Sequence, residues 1–153
     1  MQKKMTIDIG NFYTNTPMDR FEYMWTHINE IPDETIEEYD LLSKVSDGYV
    51  YFRIKKAIYG LKQSGALSNK MLAKILNKEG YYQAKHTKGL WLHKTKSISF
   101  TLVVDDFGVA YKERKDCEEL IKLLEGTYPC KCNWSDNRYI GVNLDWDYKE
   151  PEL

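Results

Sequence analysis

Residues 97–106 have the sequence Ser97-Ile98-Ser99-Phe100-Thr101-Leu102-Val103-Val104-Asp105-Asp106, in which apolar and polar side chains alternate up to a pair of aspartates. Side chains on a β-strand alternate between the two faces of a sheet. The stretch therefore predicts a strand with an apolar face that packs on the core and a mostly polar, open face that ends at Asp105. The predicted core face consists of Ile98, Phe100, Leu102 and Val104.

The same alternation in Met5-Thr6-Ile7-Asp8-Ile9 predicts a strand with Asp8 on the open face. If the two strands are neighbours, Asp8 and Asp105 meet there, whereas Asp106 lies in the following turn and points elsewhere. Adjacent carboxylates repel unless a proton or a cation lies between them. They suit Mg²⁺ or Mn²⁺, and two such ions can activate a 3′-hydroxyl and stabilise a leaving pyrophosphate. Alternatively, the two aspartates only form a turn, because aspartate is common in turns for structural reasons.

The rest of the chain predicts an α+β domain over residues 1–153, with an antiparallel sheet and helices packed on one face. Residues 14–47 are rich in acidic and turn-forming residues and predict loops, with a short helix near 33–39. Amphipathic helices are expected at 64–78, capped by Ser64 and stopped by Gly80, and at 115–125. Further strands are expected at 49–54, 90–93, 98–104, 109–111, near 127–132 and at 139–144.

Charge is segregated along the chain although the net charge is only −1, which by itself argues weakly against nucleic-acid binding. Residues 19–47 carry nine acidic and two basic side chains, whereas residues 48–78 carry seven basic side chains and no acidic one. The basic stretch is either an ordinary solvated face or a contact for a phosphate backbone. No segment has the roughly 18 apolar residues of a membrane span, and the three cysteines lack the spacing of a zinc site.

Four segments resemble, in order, the palm of reverse transcriptases, most closely those of copia-type LTR retrotransposons. Asp8-Ile9-Gly10-Asn11-Phe12-Tyr13 resembles the first palm motif, an aspartate followed five residues later by an aromatic. Lys56-Ala57-Ile58-Tyr59-Gly60-Leu61-Lys62-Gln63-Ser64 resembles the copia-type segment K-A-L-Y-G-L-K-Q-S and is the most specific of the four. Val103-Val104-Asp105-Asp106 resembles the Y-x-D-D box, and Tyr139-Ile140-Gly141-Val142 resembles the F-L-G segment.

The resemblance implies a partial reverse transcriptase fold, namely a polymerase palm of the ferredoxin/RRM-like type. It also implies an RNA-directed DNA polymerase that uses two Mg²⁺ (or Mn²⁺) ions to add dNTPs to a primer 3′-hydroxyl on an RNA or DNA template. The catalytic and metal-binding residues would be Asp8, Asp105 and Asp106. The dNTP would contact Tyr13 and Gln63, the primer Tyr139, Ile140 and Gly141, and the template Lys62 and Lys70.

The sequence departs from the family pattern at two positions. Val103 replaces the usual Tyr of the box, and Gly65 stands where Pro is usual. By the resemblance we expect incomplete fingers and no thumb, connection or ribonuclease H segment within residues 1–153, and therefore weak activity or none from the isolated chain. The resemblance implies the rest of a retroelement polyprotein as a partner, no membrane, and an intracellular location, cytoplasmic in virus-like particles or nuclear.

Two other functions stay open. One is a decayed or domesticated, non-catalytic nucleic-acid-binding module that stacks bases on exposed aromatics. Its candidate residues are Tyr51, Phe52, Tyr81, Tyr82 and Trp91. The other is a different Mg²⁺-dependent phosphotransferase or cyclase on a similar sheet. Single motifs also have ordinary structural interpretations: Tyr13 and Tyr59 as half-buried sheet aromatics, Gln63 as a helix cap beside Ser64, and residues 139–141 as a core strand.

Overall fold

The computed structural model of the chain describes residues 3–135 and 137–145. In chain order its elements are β1 (Lys3–Ile9), β2 (Pro17–His27), α1 (Asp33–Glu38), β3 (Tyr49–Lys56), α2 (Ser64–Lys78), β4 (Tyr81–Ala84), β5 (Thr87–His93), β6 (Ile98–Val103), β7 (Asp106–Tyr111), α3 (Arg114–Glu125), β8 (Cys130–Asn133), β9 (Arg138–Tyr139) and β10 (Val142–Asn143). Six strands form one antiparallel sheet in the order β4-β5-β6-β7-β1-β8. β2 pairs with β3, and β9 with β10, in two separate antiparallel ribbons.

One face of the six-stranded sheet carries the main hydrophobic core and is covered by α2 and α3. Leu72 and Leu76 of α2 are buried in the same cluster as Leu120 and Leu124 of α3. The sheet contributes Met5, Ile7, Ile9, Trp91, Ile98, Phe100, Leu102, Phe107, Val109 and Tyr111 to this cluster. The prediction of an α+β fold with an antiparallel sheet and helices on one face is confirmed.

Helix α2 has the bounds that the sequence predicts, and Gly80 follows it with a φ of +91°, a conformation that favours glycine at a helix end. Ser64 occupies the first helical position instead of the cap, and its hydroxyl accepts a hydrogen bond from the backbone N–H of Ile58 at 3.2 Å. The most deeply buried positions of the helix are Ser64, Ser68, Leu72 and Leu76. The bond from Ile58 ties the preceding loop to the start of the helix.

The prediction of loops over residues 14–47 is wrong for its first part, which forms the 11-residue strand β2. The short helix near 33–39 is confirmed as α1. β2 pairs with β3 in a register that shifts between Pro17 and Glu22, where the chain bulges. The strand was missed because most of its apolar residues are exposed to solvent and only Met18 is buried, so it lacks the alternating core face that a strand pattern normally shows.

The tip of the β6–β7 hairpin also differs from prediction. β6 ends at Val103, and Val104 turns outward with a φ of +57° and 46% exposure, so it does not belong to the core face. Asp105 lies in the two-residue turn, and Asp106 begins β7. Two-residue hairpin turns commonly require positive φ because that geometry matches the twist of the flanking strands.

The predicted strand over 139–144 is instead a short hairpin of β9 and β10. Ile140 and Gly141 form its turn with φ values of +50° and +75°, so an uninterrupted strand is excluded. Tyr139 extends from this hairpin onto the open face of the sheet, where its hydroxyl lies 2.9 Å from the hydroxyl of Thr101. The hairpin therefore contacts the sheet face that the helices leave uncovered.

Candidate active site

The carboxylates lie at one end of the open face. The strand register pairs Asp106 of β7 with Asp8 of β1, and Asp8 with Lys131 of β8. Residues that pair across strands lie on the same face, so Asp106, Asp8 and Lys131 form a row across three neighbouring strands. The backbone N–H of Ile9 donates to the carbonyl of Asp105 at 3.1 Å and fixes the hairpin tip against the end of β1.

The sequence predicted Asp105 on the open face and Asp106 in the turn, but Asp105 lies in the turn and Asp106 begins β7, so this prediction is wrong. Asp106 continues the open face with Gly108 and Ala110, whereas Phe107 and Val109 are buried. Partial burial raises the pKa of the Asp106 carboxyl, and the charges of Asp105 and Asp8 raise this pKa further. The three carboxylates therefore interact electrostatically, and a neighbouring cation would relieve their repulsion.

The donor chemistry of these residues fits a hard divalent cation. Mg²⁺ often binds through one or two carboxylates and completes its coordination with waters and substrate phosphates. Asp8 and Asp106 on adjacent strands, with Asp105 at the turn, offer such oxygens. Within residues 3–135 and 137–145, no group of three or more histidine, cysteine, aspartate or glutamate side chains is arranged closely enough to hold a metal ion by itself.

A cavity of about 310 Å³ lies between the carboxylate row and the β9–β10 hairpin. Its walls include Asp8, Asp106, Lys131 and Arg138, so two acidic side chains face two basic ones. Tyr139, Ile140 and Gly141, which the resemblance assigns to the primer, also line this cavity. Such a mixture of charges can accommodate a cation together with phosphate groups.

Tyr13 and Tyr59 form an aromatic pair next to the carboxylates. Their ring centroids lie 4.5 Å apart in an edge-to-face arrangement, and Tyr13 also packs on the buried ring of Phe12. Tyr59 is 75% exposed. Desolvation raises the pKa of Tyr59, and Asp105, Tyr13 and Asp8 raise it further, so its ring lies within electrostatic reach of the site.

The loop that carries Tyr13 is anchored to the segment before β8. The backbone N–H of Gly10 donates to the carbonyl of Pro129 at 2.7 Å, and the side-chain amide of Asn15 donates to the carbonyl of Thr127 at 2.8 Å. Asn11 turns the chain with a φ of +58°, which asparagine tolerates better than most residues. These bonds hold Tyr13 near the end of β1.

The remaining predicted site residues lie in other contacts. The side-chain amide of Gln63 donates to the carboxylate of Glu22 on β2 at 2.8 Å. Gln63 occupies the position before α2 without a side-chain cap bond, so its interpretation as a capping side chain is wrong. Lys62 and Lys70 are exposed.

Several aromatics proposed for base stacking are unsuitable. Trp91 and Tyr81 are only 1% and 2% exposed and belong to the core, which excludes them as surface platforms. Phe52 is half-buried, whereas Tyr51 and Tyr82 are exposed. The stacking surface expected from the sequence is therefore wrong for Trp91 and Tyr81.

Tyr59, Lys131 and Arg138 are site neighbours that sequence reasoning missed. Tyr59 belongs to the most specific motif, which is a usable signal. Lys131 and Arg138 acquire their positions from the strand order and the hairpin, for which the local sequence offers no signal. All three cysteines are free thiols, and none of the described helices is long and apolar enough to cross a membrane.

Comparison with known proteins supports the motif order. The family model described as reverse transcriptase (RNA-dependent DNA polymerase) matches residues 42–149, well over half of the 153-residue chain. The matched range contains residues 56–64, the Asp105-Asp106 pair and residues 139–141, and it begins after Asp8 and Tyr13. No solved structure matches the chain.

Proposed function

Since the chain belongs to the reverse transcriptase (RNA-dependent DNA polymerase) family, we propose that it is the palm region of a copia-type retrotransposon polymerase that adds dNTPs to a primer 3′-hydroxyl. The observation that carries this proposal is the pairing of Asp8 with Asp106 across β1 and β7, with Asp105 at the adjoining turn. On this open face the carboxylates could bind cations, and the cations could bind the phosphate groups of a nucleotide.

In the proposed mechanism, Asp8, Asp105 and Asp106 would hold two Mg²⁺ or Mn²⁺ ions, with no fixed rank among the three ligands. When bound, such ions would supply positive charge that activates the 3′-hydroxyl and stabilises the leaving pyrophosphate. Lys131 and Arg138 line the same cavity and add positive charge for phosphate oxygens. These side chains would neutralise charge that develops during in-line transfer.

We assign the nucleotide to the Tyr13–Tyr59 pair and the primer to the β9–β10 hairpin. Tyr13, supported by Tyr59, would lie under the incoming sugar and exclude a 2′-hydroxyl, as the resemblance implies for Tyr13. The β9–β10 hairpin, with Tyr139, Ile140 and Gly141, would hold the primer end beside the cavity. Gln63, engaged with Glu22, would act at the nucleotide site through the position of the loop before α2.

The proposed partners are an RNA or DNA template-primer, dNTPs and the rest of a retroelement polyprotein. Lys62 and Lys70 are proposed template contacts because both are exposed on the basic stretch. Primer extension by this chain alone is expected to be weak, because positioning of template and triphosphate supplies most of the acceleration in phosphoryl transfer.

The metal proposal is tested by titrating the chain with Mn²⁺ in a calorimeter. Asp8→Asn, Asp105→Asn and Asp106→Asn are each expected to lower the affinity at least about tenfold, because each removes a ligating charge. Asp47→Asn is the matched control, since Asp47 is exposed in the turn before β3, does not line the cavity and has a φ of +50° that suits asparagine. Unchanged Mn²⁺ binding by all three site variants would refute the proposed metal site.

A further inference from the structure

The β2–β3 ribbon carries five exposed aromatic side chains, here called the aromatic face: Phe21, Tyr23, Trp25, Tyr49 and Tyr51. Tyr23, Trp25 and Tyr51 are 67%, 64% and 62% exposed. The register pairs Trp25 with Tyr51 and places Arg53 opposite Tyr23, so these side chains lie on one face of the ribbon. Single exposed aromatics are common, but a contiguous group of this size usually marks a binding surface.

The ribbon does not need this face for its own packing. Val50 and Ile54 of β3 alternate with the aromatic residues and are buried on the other face. Ile54 packs with Met18 and Ala57 in a second hydrophobic cluster. The ribbon is therefore held through its aliphatic face, which leaves the aromatic face available to a ligand.

The chemistry of the aromatic face favours nucleobases and phosphates. The guanidinium of Arg53 lies 4.6 Å from the ring centroid of Phe21, and Lys55 follows Arg53 on the same face. Alternate residues of a strand are about 6.8 Å apart, so successive rings can each receive one base of an extended strand. The face combines aromatic rings with the cations of Arg53 and Lys55, a composition that suits stacked bases flanked by backbone phosphates.

The aromatic face also leads toward the candidate active site. Arg53 and Lys55 lie at the end of β3 from which the chain continues to Tyr59, and Tyr59 packs on Tyr13 beside the carboxylates. The acidic segment 28–47 adjoins the opposite end of the ribbon. Positive charge on the aromatic face therefore increases toward the end of β3 that leads to Tyr59, whereas Trp25, Tyr49 and Tyr51 lie toward the other end.

We propose that the aromatic face binds single-stranded nucleic acid by stacking unpaired bases on Trp25, Tyr51 and their neighbours. Arg53 and Lys55 contact the backbone phosphates. Only the description of this strand as a polymerase template rests on the proposed function; the binding itself does not require the carboxylates or a metal ion.

The test measures binding of fluorescein-labelled oligo(dT) and oligo(rU), each of about twelve nucleotides, by fluorescence anisotropy in EDTA. Replacing the cross-strand pair together, Trp25→Ala with Tyr51→Ala, is expected to weaken binding about tenfold or more. The aromatic pair Trp25→Phe with Tyr51→Phe keeps both rings and should bind within about threefold of the parent chain. Tyr82→Ala is the matched control, because Tyr82 is exposed but lies on β4, at the far edge of the main sheet.

Circular dichroism of each variant establishes that the fold is retained. Equal oligonucleotide affinity for the alanine pair and the parent overturns the proposal, as does the absence of binding by the parent chain. If light scattering shows that the alanine pair converts a dimer to a monomer without changing oligonucleotide affinity, the face is a contact between two copies. Loss of oligonucleotide binding in the alanine pair, combined with normal Mn²⁺ binding by the Asp→Asn variants, would support the aromatic face and refute only the proposed metal site.

Discussion

Val104 has a φ of +57° at the tip of the hairpin that presents Asp105. A β-branched residue in this left-handed conformation is strained by roughly 1–3 kcal/mol, because its side chain crowds the backbone. The surrounding structure must hold it there, and the bond from Ile9 to the carbonyl of Asp105 is one such restraint. Strain next to a carboxylate pair is common where a fold positions functional groups.

Replacing this valine by glycine should stabilise the protein. Val104→Gly relieves the strain but adds flexibility to the unfolded chain, so we expect a gain of about 1 kcal/mol in the free energy of unfolding. Val103→Gly is the matched control, since Val103 is 45% exposed, close to the 46% of Val104, but lies within β6. That variant should lose about 1 kcal/mol. Urea unfolding measures both, and a loss of stability in Val104→Gly would show that the turn is not strained.

The positions of Asp105 and Asp106 show that a one-residue error in the predicted start of a turn changes which side chains face the site. Alternation along 97–102 is confirmed by the burial of Ile98, Phe100 and Leu102. After a hairpin turn, the alternation of side chains between the two faces starts again with the next strand. If that strand begins one residue earlier or later, every side chain moves to the other face. The length of the turn depends on pairing between β6 and β7, which the local sequence does not specify. The approximate location of the acidic site was therefore predictable, but the face of each aspartate was not.

At the scale of elements, helices and strands were predicted correctly where buried apolar residues recur at a regular spacing along the chain. Helix α2 has the predicted bounds because apolar residues recur at helical spacing and Gly80 ends the pattern. β2 was missed because its aromatic residues face solvent. The site likewise depends on long-range pairing, since Asp8 and Lys131 are neighbours only through the β1–β8 ladder.

Gly108 on β7 is the contact point between the sheet and the β9–β10 hairpin. A Cβ at this position would lie 2.8 Å from the Thr101 hydroxyl oxygen and 3.1 Å from the Tyr139 ring. Gly108→Ala should therefore displace Tyr139 and cost about 1–3 kcal/mol of stability. Hydrogen exchange should show faster exchange at residues 138–143 in this variant.

Gly89→Ala is the control for that substitution. Gly89 lies in β5 of the same sheet, where a Cβ would be 3.5 Å from the carbonyl oxygen of Leu102, an ordinary contact. This variant should leave exchange in the hairpin unchanged. If both alanine variants show the same hydrogen exchange at residues 138–143, the hairpin does not pack against Gly108 and Tyr139 does not fix the cavity wall.

At the scale of the whole molecule, the reactivity of the three cysteine thiols can test how firmly helix α3 packs on the sheet. Cys117 of α3 is completely buried and lies 2.7 Å from the sulfur of Met5 on β1, whereas Cys132 of β8 is exposed. Burial raises the pKa of Cys117 to about 12 and that of Cys130 to about 12. The thiolate is the reactive form, so both residues should react slowly near neutral pH.

Alkylation by iodoacetamide at pH 8, followed by mass spectrometry of the peptides, should label Cys132 first, Cys130 more slowly and Cys117 only when the whole fold opens. Because folding raises these thiol pKa values above the ordinary value of 9.0, the folded state keeps protons that the unfolded state loses. Stability should therefore fall as the pH rises from about 9 toward 12. Labelling of Cys117 as fast as Cys132 in buffer, with little acceleration by low urea concentrations, would mean that α3 separates from β1 without global unfolding. The helix layer would then not be a fixed support for the carboxylate face.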